Sequence, residues 1–312
     1  MDPNTEQRLI EALEKWLKQD RASRRWKNLL FFVIVLYIAV LIVLMIKGAN
    51  DLDNLKEIAD GEAYAAVVRL NGTIVPDSDA SANTMMPLLR KAFSDKNAKA
   101  VIIEANSPGG SPVQAALINA EIRRLKQKYN KPVYVTIQDV CASGCYYVAV
   151  AADKLFANEN SIVGSIGVRL DTFGFTGLMD KLGIENRSMY AGEHKAFINP
   201  FGPKDEAGRA HFREHVLERT HQQFIKAVRD GRGERLKDNP DLFTGLVWLG
   251  PEATELGLID GLGDTRYVAE ELVKVKKTRV MEPDKPLLEQ LLRDMGAESA
   301  LSNLLPRLLM MH

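Results

Sequence analysis

Hydrophobic positions along this chain fall into two regimes. The first is one unbroken run, "LLFFVIVLYIAVLIVLMI", from Leu29 to Ile46, eighteen residues without a charge. A helix of that length rises about 27 Å, enough to cross the hydrocarbon core of a bilayer. The run therefore predicts a transmembrane helix over 29–46. A signal peptide has a shorter apolar stretch, about 7–15 residues, and a small-x-small cleavage site after it. Here "KGANDLD" follows, so the expectation is an uncleaved anchor. Ahead of it, residues 1–28 place Leu9, Leu13, Trp16 and Leu17 at helical spacing, which predicts a short amphipathic helix along the membrane surface. Residues 47–62 are polar and predict a linker.

The second regime is an alternation of short apolar runs and helical periods. "YAAVVRL" (64–70), "AVIIEA" (100–105) and "PVYVTI" (132–137) predict strands. Residues 112–129 and 143–152 carry helical periodicity. Strands that alternate with helices imply an α/β domain, a mainly parallel sheet with helices packed against it, here spanning 63–275. The tail, 276–312, has leucines at helical spacing and predicts a C-terminal helical segment.

Charge adds orientation. Lys15, Lys18, Arg21, Arg24, Arg25 and Lys27 precede the apolar run, and Asp51, Asp53, Glu57 and Asp60 follow it. The positive-inside rule then leaves the N-terminus in the cytoplasm and the α/β domain on the far side. The 41 basic and 41 acidic residues balance, so net charge offers no argument for a nucleic-acid partner. The two cysteines, Cys141 and Cys145, would lie in an oxidising compartment. Their spacing suits one face of a helix, where a disulfide is awkward, and the expectation is two free thiols.

Four stretches bear on chemistry. "NSPGGS" (106–111) follows a strand and precedes a helix. It reads either as a tight turn that needs glycine or as a loop whose backbone N–H groups face an anion. "CASGC" (141–145) holds three nucleophile types, Cys141, Ser143 and Cys145, and Ser143 also reads as a helix N-cap. Cysteines occupy both glycine positions of the Gly-x-Ser-x-Gly elbow. A serine needs a base. "HFREHVLERTH" contains His211, Glu214 and His215 in the inverted zinc-peptidase spacing, but its helix, 204–230, is highly charged and offers no third ligand. "YAGEHKAFINPF" (190–201) holds Lys195, which by itself reads as an exposed lysine.

Together, "EANSPGGSP", "ASGCYYVAVAADKLFA", "SIVGSIGV", "AGEHKAF" and "GLVWLGPEATELGLIDGLG" resemble the signal peptide peptidase A family (SppA and SohB), short single-domain bacterial form. The resemblance implies a crotonase/ClpP-like fold and a Ser-Lys protease without cofactor or metal. Ser143 matches the nucleophile and Lys195 the general base. Ser165 matches the hydroxyl that orients the lysine, and Gly110, with Gly109 the alternative, the oxyanion donor. The family usually has Gly or Ala where this chain has Cys141 and Cys145. The resemblance further implies a ring-shaped homo-oligomer with sites between subunits. Its substrates would be signal peptide remnants and other unfolded hydrophobic peptides, cleaved at the outer face of a bacterial inner membrane by a single-pass protein with a periplasmic protease domain. Two other expectations stand beside it: a non-proteolytic crotonase-like binding scaffold, and the zinc peptidase of His211, Glu214 and His215.

Overall fold

The computed structural model describes residues 30–44 and 62–282. Residues 30–44 are helical and expose their apolar side chains, Phe31 and Phe32 among them. Among the described residues no helix is long and apolar enough to cross a membrane. The predicted 29–46 span exceeds the described helix at both ends. The amphipathic segment 1–28 and most of the linker lie outside the described residues, as does the tail beyond 282.

From Ala63 to residue 282 the chain forms one compact unit built on an eight-stranded sheet. Strands β1 (Tyr64–Asn71), β2 (Ala98–Ser107) and β3 (Val133–Ala142) run parallel at its centre. β3 is long and serves two neighbours. Its first half pairs with β4 (Lys154–Ala157) and its second half with β5 (Ile162–Gly164). β6 (Val247–Trp248) is antiparallel to β5, and β7 (Gly261–Leu262) extends β4. The edge beside β1 is β8, Lys277–Val280, which corrects the expected boundary: residues assigned to a helical tail from 276 complete the sheet. The leucine spacing that suggested a helix begins only after this strand.

Both faces of the sheet are covered, which is why its strands read as near-continuous apolar runs. Ala66, Val68 and Leu70 of β1 face the main core, while Ala65 and Val67 face a smaller cluster with Ile102, Phe156 and Val268. Helix α1, Ala82–Ser94, was not evident in the sequence because Pro87 interrupts its pattern. Ser81 caps it, its hydroxyl accepting from the Thr84 N–H at 3.3 Å. Helix α2, Pro112–Tyr129, has the predicted bounds. Ser111 precedes it, Pro112 stands at its first position, and Asn130 (φ 47°) turns left-handed to end it. Helix α3 is shorter than the periodicity suggested, Gly144–Ala149.

The charged stretch near 204–230 divides. Glu206–Phe212 forms a helix, Arg213–Glu218 winds as a π-helix, and Arg219–Arg232 continues as a helix. Its first half is mostly exposed, as expected. Its second half buries one face, with Phe224, Ile225, Ala227 and Val228, and exposes Gln222, Gln223, Lys226 and Arg229 on the other.

Candidate active site

The site forms where β2, β3 and β5 end side by side. β3 finishes at Ala142, and the chain turns at Ser143 into helix α3. Ser143 has φ 53° and ψ −123°, a conformation that L-residues avoid and that costs about 1–3 kcal/mol. It is held there by its backbone. Its N–H donates to the Gly164 carbonyl at 2.8 Å, and its carbonyl accepts from the Tyr147 N–H at 3.0 Å. The side chain makes no capping bond, so the N-cap reading of Ser143 fails and its hydroxyl is left for other work.

The "SPGG" loop packs directly on this turn. Gly109 has φ 94°, and a Cβ there would stand 2.6 Å from both the Ala142 oxygen and the Gly144 nitrogen. Gly110 (φ 152°) lies as close to Ile74, whose carbonyl would be 2.2 Å from an added Cβ. Both glycines are therefore required by close approach. The Gly109 N–H donates to Ser107 Oγ at 3.1 Å, and its carbonyl accepts from the Ile74 N–H at 2.9 Å. The N–H groups of Gly110 and Gly144 make no hydrogen bond to another described residue. They are neighbours: a Cβ on Gly144 would be 3.2 Å from the Gly110 nitrogen. Of the two glycines read as alternatives, Gly110 has the free donor. Gly144 was missed, although its place directly after Ser143 is the signal for it.

Ser143, Ser165, Gly109, Gly110 and Gly144 line one cleft of about 760 Å³. Ser165 too has positive φ, 50°, and its N–H donates to the Leu246 carbonyl at 2.8 Å. Ala115, Tyr147, Val168 and Phe224 add apolar surface, and the Tyr147 and Phe224 rings sit 5.3 Å apart. Arg169 is the charged side chain in the lining, which includes no His, Asp, Glu or Lys. Lys195 is absent from the cleft. It is exposed, in a run from 169 to 195 where nearly every residue is exposed, including Phe173, Leu178 and Met189 at 97%. The structure thus brings together four of the five expected residues and leaves the fifth apart.

None of the described histidines lines the cleft either. His194 Nδ1 bonds Asp205 at 2.9 Å, which raises the histidine pKa and lowers that of the carboxyl, the latter mainly through the Gly208 N–H. His221 Nε2 bonds the Ile166 carbonyl at 3.2 Å. The His211 and His215 rings stack at 4.3 Å. Among the described residues no three His, Cys, Asp or Glu side chains form a group able to hold a metal ion, so the zinc-peptidase reading of His211, Glu214 and His215 lacks its third ligand. A second hollow of about 680 Å³, with Glu104, Thr136 and Thr265 in its lining, contains none of the candidate residues.

The cysteines require a correction. Cys141 and Cys145 are joined in a disulfide, with their Cα atoms 5.1 Å apart. The expected obstacle was a shared helix face, but Cys141 is the penultimate residue of β3 and only Cys145 is helical. The reversal at Ser143 folds one onto the other within bridging range.

Sequence comparison agrees with this geometry. The model of peptidase family S49 matches residues 125–279, a range that includes Ser143, Ser165 and Lys195. A Methanocaldococcus jannaschii protein named "Putative protease MJ0651" is 31% identical over 265 residues, 81% of this chain and 84% of that one. "Protease 4" of Haemophilus influenzae is 32% identical over 224 residues, 70% of this chain and 36% of that one. A Brucella abortus protein named "Na(+)/H(+) antiporter NhaA" is 42% identical over 244 residues, 76% of this chain. The chain spans 33% of that Brucella protein's length. The chain belongs to peptidase family S49, the family of the SppA signal peptide peptidases.

Proposed function

We propose that this chain is a membrane-anchored serine endopeptidase of crotonase/ClpP-like fold, with a Ser-Lys dyad completed between two copies. The carrying observation is the cleft itself. It presents the strained Ser143 beside two unbonded backbone donors and holds no base of its own. Proteolysis is favoured over the antiport named in the Brucella relative because the shared stretch contains these parts.

Ser143 Oγ attacks the scissile carbonyl and passes its proton to a neutral lysine amine. The N–H groups of Gly110 and Gly144 receive the oxyanion. The same amine then protonates the leaving nitrogen, and water resolves the acyl-enzyme. Lys195 of a neighbouring copy supplies the amine, carried on the exposed apolar segment that precedes it. Seating that segment on a second copy removes the amine from water, which favours the uncharged form. Ser165, beside Ser143, orients it. The repeated contact builds the ring-shaped homo-oligomer.

Unfolded hydrophobic peptides, signal peptide remnants among them, suit a cleft with Tyr147, Phe224 and Val168 in its wall. The apolar run 29–46 anchors the chain in the bacterial inner membrane, with the N-terminus cytoplasmic. The disulfide supports placing the protease domain on the periplasmic side, where such bonds persist. The test is hydrolysis of an unfolded apolar peptide by the full chain, with and without Ser143→Ala. Undiminished hydrolysis by the variant would sink the assignment.

A further inference from the structure

The disulfide brackets the proposed nucleophile. Cys141 and Cys145 close a ring of five residues, and Ser143 is its middle member. Both cysteines are fully buried. Cys141 is fixed from two sides, opposite Ser107 in the ladder with β2 and opposite Val163 in the ladder with β5. Cys145 sits in the first turn of a short helix whose next residues pack into the main core.

Resting on the reading of Ser143 as nucleophile, we propose that the Cys141–Cys145 disulfide is a redox-sensitive clamp that sets the position of Ser143. Two thiols cannot remain at bonding distance. Once reduced, the sulfurs must separate to ordinary contact inside the packed core to which both cysteines belong. The strand end is held by ladders on both sides, so the displacement falls on the turn and on the start of the helix. Those are the residues that aim the Ser143 hydroxyl and the Gly144 N–H. An error of an ångström in such a position costs up to about 100-fold in rate.

The chemistry is thiol–disulfide exchange. In maturation the two thiols give up two electrons and two protons to a disulfide oxidant, which leaves as a dithiol. In the reverse direction the turn must first open, because both sulfurs are buried; a dithiol reductant then attacks one sulfur through its thiolate and is itself oxidised to a disulfide, and the cysteines take up two electrons and two protons. The site then matures where disulfides form and stays slow in a reducing cytoplasm.

The experiment measures the rate at which a fluorophosphonate labels Ser143 in the full chain, with the labelled residue located by mass spectrometry. Free thiols are counted in parallel by alkylation under denaturing conditions. Reduction of both cysteines is expected to slow labelling at least 10-fold, and reoxidation to restore it. The Cys141→Ala/Cys145→Ala variant is expected to label at one rate, with or without reductant. Equal labelling of oxidised and fully reduced wild type overturns the proposal, and so does an equal slowing of the double variant by reductant. Label on a residue other than Ser143 in the oxidised protein refutes the nucleophile assignment instead.

Discussion

Ser143 and Ser165 each follow one member of a directly paired couple, Ala142 and Gly164, on adjacent parallel strands, and both have positive φ, 53° and 50°. Two neighbouring strands thus each run into a serine of positive φ and deliver two hydroxyl residues to one cleft. Backbone bonds hold both: Ser143 to Gly164, and Ser165 to Leu246. Strain of this kind persists where the surroundings over-determine it, and it gathers at sites of chemistry.

The conformation of Ser143 predicts a divergence between stability and activity. Ser143→Ala and Ser143→Gly should both lose peptide hydrolysis. Ser143→Gly should be more stable than Ser143→Ala by about 1 kcal/mol, because glycine alone tolerates this backbone without penalty. Urea unfolding of the two variants, with the same slope, checks the difference. A chelator should leave the wild-type rate unchanged, as should His211→Ala.

Gly109→Ala should be catalytically crippled. The new Cβ meets the Ala142 oxygen and the Gly144 nitrogen at 2.6 Å, and both belong to the turn that carries Ser143. A drop in kcat of roughly 100-fold or more is expected, the size seen when one oxyanion donor is lost. Steady-state kinetics on one apolar peptide measures it. A wild-type kcat would show that the loop does not aim the donors.

Lys195→Ala and Lys195→Arg should each be inactive, since a guanidinium does not release its proton in this range. If the amine comes from a neighbouring copy, Ser143→Ala and Lys195→Ala proteins should regain part of the activity when mixed and allowed to exchange. Some contacts then pair an intact serine with an intact lysine. Failure to recover activity, with subunit exchange verified by a tag, argues for both residues acting within one chain.

Acid should weaken the fold through Glu121. Its carboxylate is buried, and hydrogen bonds from Arg124, at 2.7 and 2.8 Å, and from Arg90, at 2.6 Å, hold its pKa down at about 2. The folded value lies below the unfolded one. The contribution is therefore present above about pH 4.5 and is lost as the pH falls toward 2. Both arginines are half exposed, so its size is about 1–3 kcal/mol after screening. Urea midpoints should show Glu121→Gln less stable than wild type at pH 7, with the gap closing by about pH 2. A gap that stays constant across this range would assign the stability to packing instead.

Local signals in the sequence were sufficient for the central strands, the parallel α/β class and the bounds of α2. Buried strands advertise themselves as apolar runs, and caps such as Ser111, Pro112 and Asn130 act within a few residues. Ser143, Ser165 and the "SPGG" loop are legible only through the five motifs taken together and the family they resemble, not through any one motif. What lay beyond the sequence depends on distances between segments. The freedom of the Gly110 and Gly144 donors is decided by which carbonyls and hydroxyls approach them from β2 and from Ile74. β8 is a strand because β1 has an open edge, a fact no periodicity in 277–280 records. Cys141 and Cys145 form a disulfide because a strand ends between them, where helical spacing alone would hold them apart. The exposure of Lys195, far from obvious in "AGEHKAF", goes with that of the run before it, which finds no cover among the described residues.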